Sequence, residues 1–377
     1  MDKIMKMKIL HLNAGAETGG GMFHILQLLE GFEQAEVILG LFEKGLMYEK
    51  ALKKGIHVEL FQQTSRTDFM VVKKIISFID SNKVDIIHTH GPRANFYGYY
   101  IKKKRPHCKW VTTLHSNPEL DFMGRGLPGK VFTNLHLWSL KKPDYFLAIS
   151  KKFKEILVDR NISSDKITTI YNGIDFSDTQ MNDKTRREDF DLEPQDFVII
   201  MVARFDPVKG HKEVLQVLKR IIVKDKNVKL LLVGDGLLET EIKSQSAVAG
   251  LDENIKFLGF RTDVPSLYNL ADVALLASYS ESFPLVLLEA AREKTPVITT
   301  DVGGVRDLIP SSDYGWVVPV KDNEALEKAI EEAIKLKDEK RLSAVGNNIY
   351  QRASELFTVE KFRDSVYSAY EKIMENN

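Results

Sequence analysis

Short apolar runs alternate with longer amphipathic segments along most of the chain. Apolar runs of four to seven residues predict buried strands, and apolar residues spaced three and four positions apart predict helices. The first half predicts strands over residues 7–12, 37–41, 84–88, 110–114, 145–149 and 167–170, with helices over 22–32, 70–81 and 151–159. This alternation is typical of a parallel sheet covered by helices.

The pattern stops over residues 178–196, where charged residues dominate, and then restarts. The second half predicts strands over residues 197–203, 229–233, 255–258, 273–277, 296–299 and 316–318, with helices over 212–223, 237–249 and 285–293. A polar stretch between two such series predicts a linker. We therefore expect an α/β domain over residues 1–177 and a second one over 197–357.

A final amphipathic segment covers residues 358–377. It places Phe362, Val366, Tyr370 and Met374 at helical spacing, so one face of this helix is apolar. That face needs a surface to cover, and we expect the helix to pack back on the first domain.

Composition supports a globular protein and restricts its compartment. The chain has 377 residues, of which 44% are hydrophobic and 28% charged. The longest apolar run has seven residues, whereas a membrane-spanning helix needs roughly 18. The single cysteine, Cys108, permits no disulfide within the chain. With a charged N-terminus unlike a secretory signal, these features predict a cytoplasmic protein.

The net charge of zero hides an uneven distribution. Residues 1–180 contain 26 Lys and Arg against 19 Asp and Glu, with dense clusters at residues 102–105 and 141–142. The clusters are either solvated helix ends or a surface for anionic lipid at the inner face of a membrane. Nucleic acid is not an expected partner, because no aromatic residues are interleaved with these lysines and no nucleic-acid-binding motif is present.

The segment from Glu281 to Glu289 carries the most specific chemistry. Glu289 interrupts an apolar helical pattern, and a buried carboxylate without a partner costs several kcal/mol. Something polar is therefore expected to meet it. Pro284 suits the first helical position, and the backbone N–H groups of Leu285 and Val286 then favour an anion. Two carboxylates that hold hydroxyls beside an anion site suit a nucleotide sugar.

Two cations and several glycines follow other predicted strands. Arg204 ends a strand and Lys209 precedes the next helix, so both can reach the carboxyl edge of the second sheet and neutralise a diphosphate. Solvated loop charges are the alternative. Gly234 follows another strand of that sheet. Gly20 and Gly21 follow the first strand, in either a phosphate-binding loop or a tight turn.

Three histidines lie at strand ends in the first half, at His88, His90 and His115. A zinc site needs more ligands than these residues offer, since no cysteine, H-E-x-x-H motif or obvious third ligand is near. We therefore expect no metal. His115 is either a hydrogen-bonding group in a ligand cleft or a structural residue.

Together these motifs resemble those of the family 4 glycosyltransferases, which are retaining enzymes of the GT-B fold. The resemblance extends over nearly the whole chain, and its specific part is Glu281 through Glu289 with Arg204 and Lys209. It implies two Rossmann-like domains facing each other across a cleft, with the C-terminal helix returning to the first domain. The family's frequent glycine after the first glutamate is Ser282 here, which leaves the donor sugar open.

The resemblance also implies roles for individual residues. The groups expected at the reacting centre are His115, Glu281, Arg204 and Lys209. The donor is expected to contact Gly20, Gly21, Arg204, Lys209, Gly234, Phe260, Arg261, Leu285, Val286 and Glu289. On the acceptor side we expect His88, His90 and Asn172.

The implied reaction transfers a sugar from a nucleoside-diphosphate sugar, expected to be a UDP-sugar, to an acceptor hydroxyl with retention of configuration. It needs no cofactor and no metal. The acceptor is expected to be a saccharide or a lipid-linked saccharide in cell-surface polysaccharide or glycolipid synthesis. Two alternatives remain open, a nucleotide-sugar epimerase of the same architecture and a non-catalytic nucleotide-sugar-binding partner protein.

Overall fold

The chain forms two compact units in a computed structural model. The structure describes residues 6–16, 19–65, 68–115, 118, 126–177 and 185–375. One unit comprises Met1–Asn172 with Val359–Asn377, and the other comprises Gly173–Thr358. No helix in these described ranges is both long and apolar enough to cross a bilayer.

The first unit contains a seven-stranded parallel sheet in the order β3-β2-β1-β4-β5-β6-β7. Its strands are β1 Lys8–Asn13, β2 Glu36–Leu41, β3 Val58–Leu60, β4 Ile86–His90, β5 Lys109–Leu114, β6 Tyr145–Ala148 and β7 Ile167–Thr169. Its helices are α1 Gly20–Leu29, α2 Leu46–Lys53, α3 Met70–Asn82, α4 Pro92–Lys104, α5 Gly126–Ser139 and α6 Lys151–Val158. All six strands predicted from the sequence are present. The additional strand, β3, has only three partly buried residues at the sheet edge and so lacks an apolar run.

The second unit contains a six-stranded parallel sheet in the order β10-β9-β8-β11-β12-β13. Its strands are β8 Phe197–Val202, β9 Val228–Val233, β10 Ile255–Gly259, β11 Val273–Leu276, β12 Val297–Thr300 and β13 Trp316–Val318. Its helices are α7 His211–Lys224, α8 Glu239–Val248, α9 Val264–Leu270, α10 Leu285–Arg292, α11 Val305–Leu308, α12 Asn323–Asp338 and α13 Leu342–Leu356. The predicted pair of Rossmann-like parallel sheets is confirmed.

Both faces of the first sheet are buried, which explains its continuous apolar runs. Successive side chains of a strand point to opposite faces, so Ile9 packs in one apolar cluster while Leu10 and Leu12 pack in another. In each sheet the strand order reverses at one place, between β1 and β4 and between β8 and β11. Open α/β sheets bind ligands at the carboxyl ends of the strands on either side of such a reversal.

The polar stretch predicted as a linker, residues 178–196, is structured over its second part. Residues 178–184 lie outside the described ranges. Arg187 donates to the carbonyl oxygens of Leu270 at 3.1 Å and Asp196 at 3.2 Å, and pairs with Asp272 at 3.0 Å. Because these contacts are all within the second unit, the segment around Arg187 packs on that unit.

The last helix, α14 Val359–Glu375, packs within the first unit, as predicted. Its buried side chains include Phe362, Val366 and Tyr370. Arg363 adds hydrogen bonds to the Gln27 carbonyl oxygen on α1, at 2.9 and 3.2 Å. The first unit is therefore completed by the chain's last helix.

Truncating Phe362 tests this docking. Phe362 is buried and its ring lies 4.7 Å from the His24 ring, so Phe362→Ala should lower the free energy of unfolding by about 3–5 kcal/mol. Denaturant unfolding measures the loss. The matched control is Phe260→Ala, since Phe260 is exposed and its truncation should change stability by about 0.5 kcal/mol at most. Equal losses in both variants would contradict a docked α14.

Candidate active site

Loops at the carboxyl edge of the second sheet are held together by backbone hydrogen bonds. The Phe205 N–H, after β8, donates to the Asp235 carbonyl oxygen after β9 at 2.7 Å. The Gly234 N–H donates in turn to the Gly259 carbonyl oxygen at the end of β10, at 2.8 Å. These bonds place the predicted Gly234 loop beside the loop that carries Arg204.

The loop after β8 also meets the loop after β11. Gly210 has a φ of 73°, and a Cβ added there would lie 2.1 Å from the Ala277 carbonyl oxygen, so only glycine permits this approach. The Tyr279 N–H donates to the Val208 carbonyl oxygen at 2.7 Å. The two backbones are therefore in contact where the strand order reverses.

Lys209 and Glu281 form an ion pair at this point. The Lys209 Nζ and Glu281 Oε1 atoms are 2.6 Å apart, and both side chains are largely buried, at 19% and 16% exposure. Two residues that are 72 positions apart in sequence thus meet where a ligand of this fold class would bind.

Arg204 occupies a more open position at the same edge. Its Nη2 atom pairs with the Asp206 carboxylate at 2.7 Å, and most of its side chain is exposed. A side chain of this kind can turn towards an anion at little cost, because a surface ion pair contributes about 1 kcal/mol or less. Arg204 and Lys209 thus offer one exposed and one largely buried cation within six residues of chain.

The loop that carries Glu281 also contacts the loop that follows β12. A Cβ at Gly303 would lie 2.0 Å from the Ser282 carbonyl oxygen, and that oxygen accepts from the Gly304 N–H at 3.0 Å. The helix α10 then begins at Leu285. Pro284, predicted as the first helical residue, is instead the extended residue before it, with φ −74° and ψ 113°. The N–H groups of Leu285 and Val286 still lie in the first turn, where helices lack internal acceptors.

Glu289 lies one turn further along α10 and is partly buried. Burial raises the pKa of its carboxyl group, and nearby Arg292 opposes this shift. Within the described ranges the carboxylate has no hydrogen bond or ion pair, because the Tyr268 hydroxyl donates to the Val286 carbonyl oxygen and Arg292 pairs with Glu293. The expected polar partner is therefore not a described protein group, which leaves the carboxylate available to ligand hydroxyls.

The remaining predicted donor residues follow β10. Phe260 is exposed, and Arg261 is held by Asp263 through hydrogen bonds of 2.7 and 2.8 Å. Gly259, just before them, has a φ of 63° and turns the chain sharply. The backbone at Phe260 and Arg261 thus lies at the same sheet edge as the Gly234 loop.

In the first unit, histidines gather at the carboxyl edge on both sides of the strand-order reversal. His11 on β1 and His88 on β4 are register partners. A chain of hydrogen bonds joins His115 to His90 at 2.9 Å, His90 to His11 at 3.0 Å, His11 to the Tyr370 hydroxyl at 3.3 Å and that hydroxyl to His88 at 2.6 Å. His88 also bonds Thr113 Oγ1 at 2.7 Å.

The imidazoles of this cluster are neutral. Desolvation lowers the pKa of His11 to about 3, and lowers those of His88, His90 and His115 well below the usual 6.5. A neutral imidazole carries one N–H, so each ring that bonds at both nitrogens donates on one side and accepts on the other. The donors along the chain therefore point in one direction, and Tyr370 of α14 belongs to the network that orients His115.

His24 on α1 lies beside this network. Its Nδ1–H donates to the Asn172 Oδ1 atom at 2.6 Å, which leaves Nε2 as a bare lone pair with no partner among the described residues. The His24 ring stands edge-on to His115, with centroids 4.5 Å apart. Burial lowers the pKa of His24 to about 4, so this nitrogen is an acceptor at neutral pH. Asn172, predicted on the acceptor side, orients His24 here.

The sequence lacked a third obvious metal ligand, but the fold provides candidates. Two sets of three histidines each bring one nitrogen per ring within 4.8 Å of the others. The first set is His11, His88 and His90, and the second is His24, His90 and His115. His11 and His24 were missed although each is a polar residue in an apolar run, the same pattern that identified Glu289. In the first set, the ring nitrogens of His11 and His88 are all hydrogen-bonded, so those two rings are satisfied without an ion.

Two of the predicted site residues lie in contrasting surroundings. His88, predicted on the acceptor side, is fully buried, and its two ring nitrogens are hydrogen-bonded to Tyr370 and Thr113. Gly20 and Gly21 open α1, and a Cβ at Gly20 would meet no described atom within 4 Å. The prediction that Gly20 and Gly21 contact a donor stays a prediction.

Acid should destabilise the histidine cluster. A lowered folded-state pKa means that the unfolded chain binds more protons, so the stability is complete above pH 6.5 and falls as the pH drops towards 4. We expect losses of about 2–3 kcal/mol each from His11 and His24 between pH 7 and 4.5. Denaturant unfolding at several pH values tests this, and the exposed His57→Gln variant, which keeps the cluster, should lose as much stability as the wild-type protein. Constant stability over this range would contradict buried neutral rings.

Comparison with known proteins assigns both units. Residues 18–178 match the family model described as Glycosyltransferase Family 4, and residues 182–352 match the model described as Glycosyl transferases group 1. N-acetyl-alpha-D-glucosaminyl L-malate synthase of Bacillus anthracis is 28% identical over 310 residues, which cover 81% of this chain and 78% of that protein. An Escherichia coli UDP-Gal:alpha-D-GlcNAc-diphosphoundecaprenol alpha-1,3-galactosyltransferase is 24% identical, with 79% of each chain covered.

Solved structures show the same fold. The crystal structure of Anabaena HepE in complex with UDP superimposes with a TM-score of 0.84 at 21% identity, covering 97% of this chain and 100% of that one. The glycosyltransferase of Rickettsia africae gives a TM-score of 0.82, also at 21% identity, over 99% of this chain and 100% of that one. With both units matched by glycosyltransferase models, this chain belongs to the family 4 glycosyltransferases and has their GT-B fold.

Proposed function

We propose that this glycosyltransferase moves a sugar from a UDP-sugar to an acceptor hydroxyl with retention of configuration. The main support for this proposal is the ion pair between Lys209 and Glu281 at the strand-order reversal. It brings a cation for a diphosphate and a carboxylate for a sugar within 2.6 Å of each other. Glu289, eight residues later, supplies a second carboxylate without a described protein partner.

Donor binding in the second unit then follows from the chemistry of each group. Lys209 and Arg204 neutralise the diphosphate, and the first-turn N–H groups of Leu285 and Val286 donate to its oxygens. Glu289 accepts from the ribose hydroxyls. The backbone at Phe260 and Arg261, with Gly234 beside it, meets the base. These cations neutralise the diphosphate, as a divalent metal does in other transferases.

The reaction breaks the bond between the anomeric carbon and the diphosphate oxygen. Lys209 stabilises negative charge as it develops on the leaving UDP, and Glu281 stabilises positive charge on the sugar ring. The acceptor hydroxyl attacks the anomeric carbon on the face that the diphosphate leaves, and its proton passes to a leaving phosphate oxygen. Departure and attack on one face retain the configuration, and no protein base is required.

In the first unit, His115 is the proposed contact to the reacting sugar. Its Nε2 atom is bonded to His90, so its Nδ1 atom is the one that can meet a hydroxyl. A neutral ring suits this role, since a positive charge there would oppose a positively charged sugar ring. Gly20 and Gly21 leave space for the donor, while His90 and Asn172 hold the rings of His115 and His24 in place.

The proposed acceptor is a saccharide, free or lipid-linked, in cell-surface polysaccharide or glycolipid synthesis. Relatives include a capsular polysaccharide biosynthesis glycosyltransferase of Staphylococcus aureus, 29% identical over 82% of this chain and 83% of that protein. The Escherichia coli relative is named for a diphosphoundecaprenol-linked acceptor. We place the reaction in the reducing cytoplasm, in keeping with the single cysteine, with peripheral contact to an anionic membrane through the basic first half.

Removing Lys209 tests the diphosphate role. UDP-glucose, UDP-galactose and UDP-N-acetylglucosamine are first ranked by the thermal shift each produces. UDP release from the best donor then measures turnover, which should fall roughly 10²–10³-fold in Lys209→Ala. The matched control is Lys212→Ala, because Lys212 pairs with Glu241 on the surface nearby and should not affect turnover. A wild-type rate in folded Lys209→Ala would overturn the proposal.

Ribose recognition by Glu289 has a separate test. UDP and 2′-deoxy-UDP differ by one ribose hydroxyl, so the wild-type protein should bind UDP about tenfold more tightly. Glu289→Ala should remove that preference, whereas the exposed Glu324→Ala on α12 should keep it. Isothermal titration calorimetry measures both affinities. An unchanged preference in Glu289→Ala would assign the ribose to another residue.

A further inference from the structure

Aromatic side chains form a continuous strip across three neighbouring helices of the first unit. The Phe69 ring, just before α3, lies 5.2 Å from the Tyr100 ring on α4, which lies 5.1 Å from Tyr99. Tyr99 in turn lies 4.5 Å from Trp138 on α5. Phe96 packs against both Phe69 and Tyr100. We call these five residues the aromatic face.

Exposed aliphatic side chains enlarge this face. Met70 follows Phe69, and Val131 lies seven residues before Trp138, on the same side of α5. All four of these side chains are exposed. Between them, Phe96, Tyr99 and Tyr100 are partly buried, so half-covered rings join the exposed side chains at the two ends. Large exposed apolar side chains scattered singly are ordinary, whereas a joined group of them marks a binding surface.

Lysines border the aromatic face. Lys103 lies on the same side of α4 as Phe96 and Tyr100, at spacings of seven and three residues. The Lys142 Nζ atom lies 5.7 Å from the centre of the Trp138 ring. Neither lysine forms an ion pair with an acidic residue in the described ranges, whereas Asp80 and Asp144 nearby are already paired with Arg105 and Lys102. The sequence alone suggested that no aromatic residues accompany these lysines, but the fold brings them together.

The charge excess of the first half falls in the stretch of sequence that contains α4 and α5. Residues 92–144 contain ten Lys and Arg against three Asp and Glu, a surplus of seven positive charges. Residues 1–180 as a whole have the same surplus, with 26 Lys and Arg against 19 Asp and Glu. An apolar face carried by a positively charged segment of the chain suits an anionic interface.

We propose that the aromatic face docks on an anionic lipid bilayer, with its rings at the headgroup level and its lysines on acidic headgroups. Aromatic side chains favour this depth because they are amphipathic, and lysines reach the headgroups through flexible stems. Single-stranded nucleic acid suits the face less well. The rings of Phe69, Tyr99, Tyr100 and Trp138 meet edge to face, at interplanar angles of 69–90°, so neighbours cover the faces on which bases would stack.

Docking extends the proposed function. Pro92, the first residue of α4, lies two residues after His90, so the helix that carries Phe96 and Tyr100 begins at the carboxyl edge of the first sheet. A bilayer on the aromatic face therefore lies along the helix that starts at the histidine cluster. The docking gives a surface to the peripheral membrane contact proposed above, and its relevance to a lipid-carried acceptor rests on the proposed reaction.

Trp138 reports the docking directly. The chain has three tryptophans, and Trp110 and Trp316 are buried at 0% and 6% exposure while Trp138 is 39% exposed. Vesicles of phosphatidylcholine and phosphatidylglycerol should shift Trp138 emission to the blue, and brominated lipid should quench it. Trp138→Phe should abolish both changes. Absence of quenching in the wild-type protein, or its persistence in Trp138→Phe, would overturn the proposal.

Paired variants separate the apolar and charged contributions. Phe69→Ser with Val131→Ser, and separately Lys103→Glu with Lys142→Glu, should each weaken vesicle flotation at least about tenfold. The matched controls are Val223→Ser with Val248→Ser, at 83% and 88% exposure on the other unit, and Lys219→Glu with Lys328→Glu. The control variants should float like the wild-type protein.

Lipid charge and UDP binding complete the test. Flotation should need phosphatidylglycerol and weaken in high salt, because screening shortens the reach of exposed charges. Equal flotation with neutral vesicles, or equal loss in the variants of the aromatic face and the control variants, would overturn the docking surface.

UDP affinity, measured by calorimetry in the variants of the aromatic face, should not change. A protein that binds UDP but no vesicles would contradict the docking alone, and one that binds vesicles but no UDP would contradict the proposed reaction alone.

Discussion

The ion pair between Lys209 and Glu281 is the interaction on which the site in the second unit depends. It joins two loops across the strand-order reversal, and glycines at positions 210 and 303 permit the backbone approaches that bring them together. Breaking a largely buried pair by removing one partner leaves an uncompensated charge, which costs several kcal/mol. The pair therefore keeps a cation and a carboxylate in place before any ligand arrives, which limits the reorganisation that binding requires.

The two units differ in the electrostatic character of the groups at their sheet edges. The second unit presents charged groups at its sheet edge, with Glu289 partly buried and without a described protein partner. The first unit presents imidazoles that burial keeps neutral, joined in a hydrogen-bonded chain that ends at His115. Because each ring has a single N–H, the donors along the chain all run the same way, so the tautomers of the rings depend on one another. The last helix takes part through Tyr370, so the chain's C-terminal segment has a chemical as well as a packing role.

Sequence patterns predicted the architecture well because both sheets are buried on two faces, which makes their strands continuous apolar runs. The short edge strand β3 lacked such a run and was missed. The segment from Glu281 to Glu289 was also recognisable, since a carboxylate in an apolar helix is costly without a partner. The pairing of Lys209 with Glu281 was not predictable, because it depends on which loops meet at a sheet edge. Likewise, His11, His24 and Tyr370 come from distant parts of the chain, and their contacts exist only in the folded unit.

A crystal structure of the protein with UDP tests the central claim most directly. We expect a diphosphate oxygen within ~3 Å of Lys209 Nζ and the ribose hydroxyls on the Glu289 carboxylate. UDP bound elsewhere, or a diphosphate held at this edge while Lys209 stays paired only with Glu281, would contradict the proposed role of this ion pair.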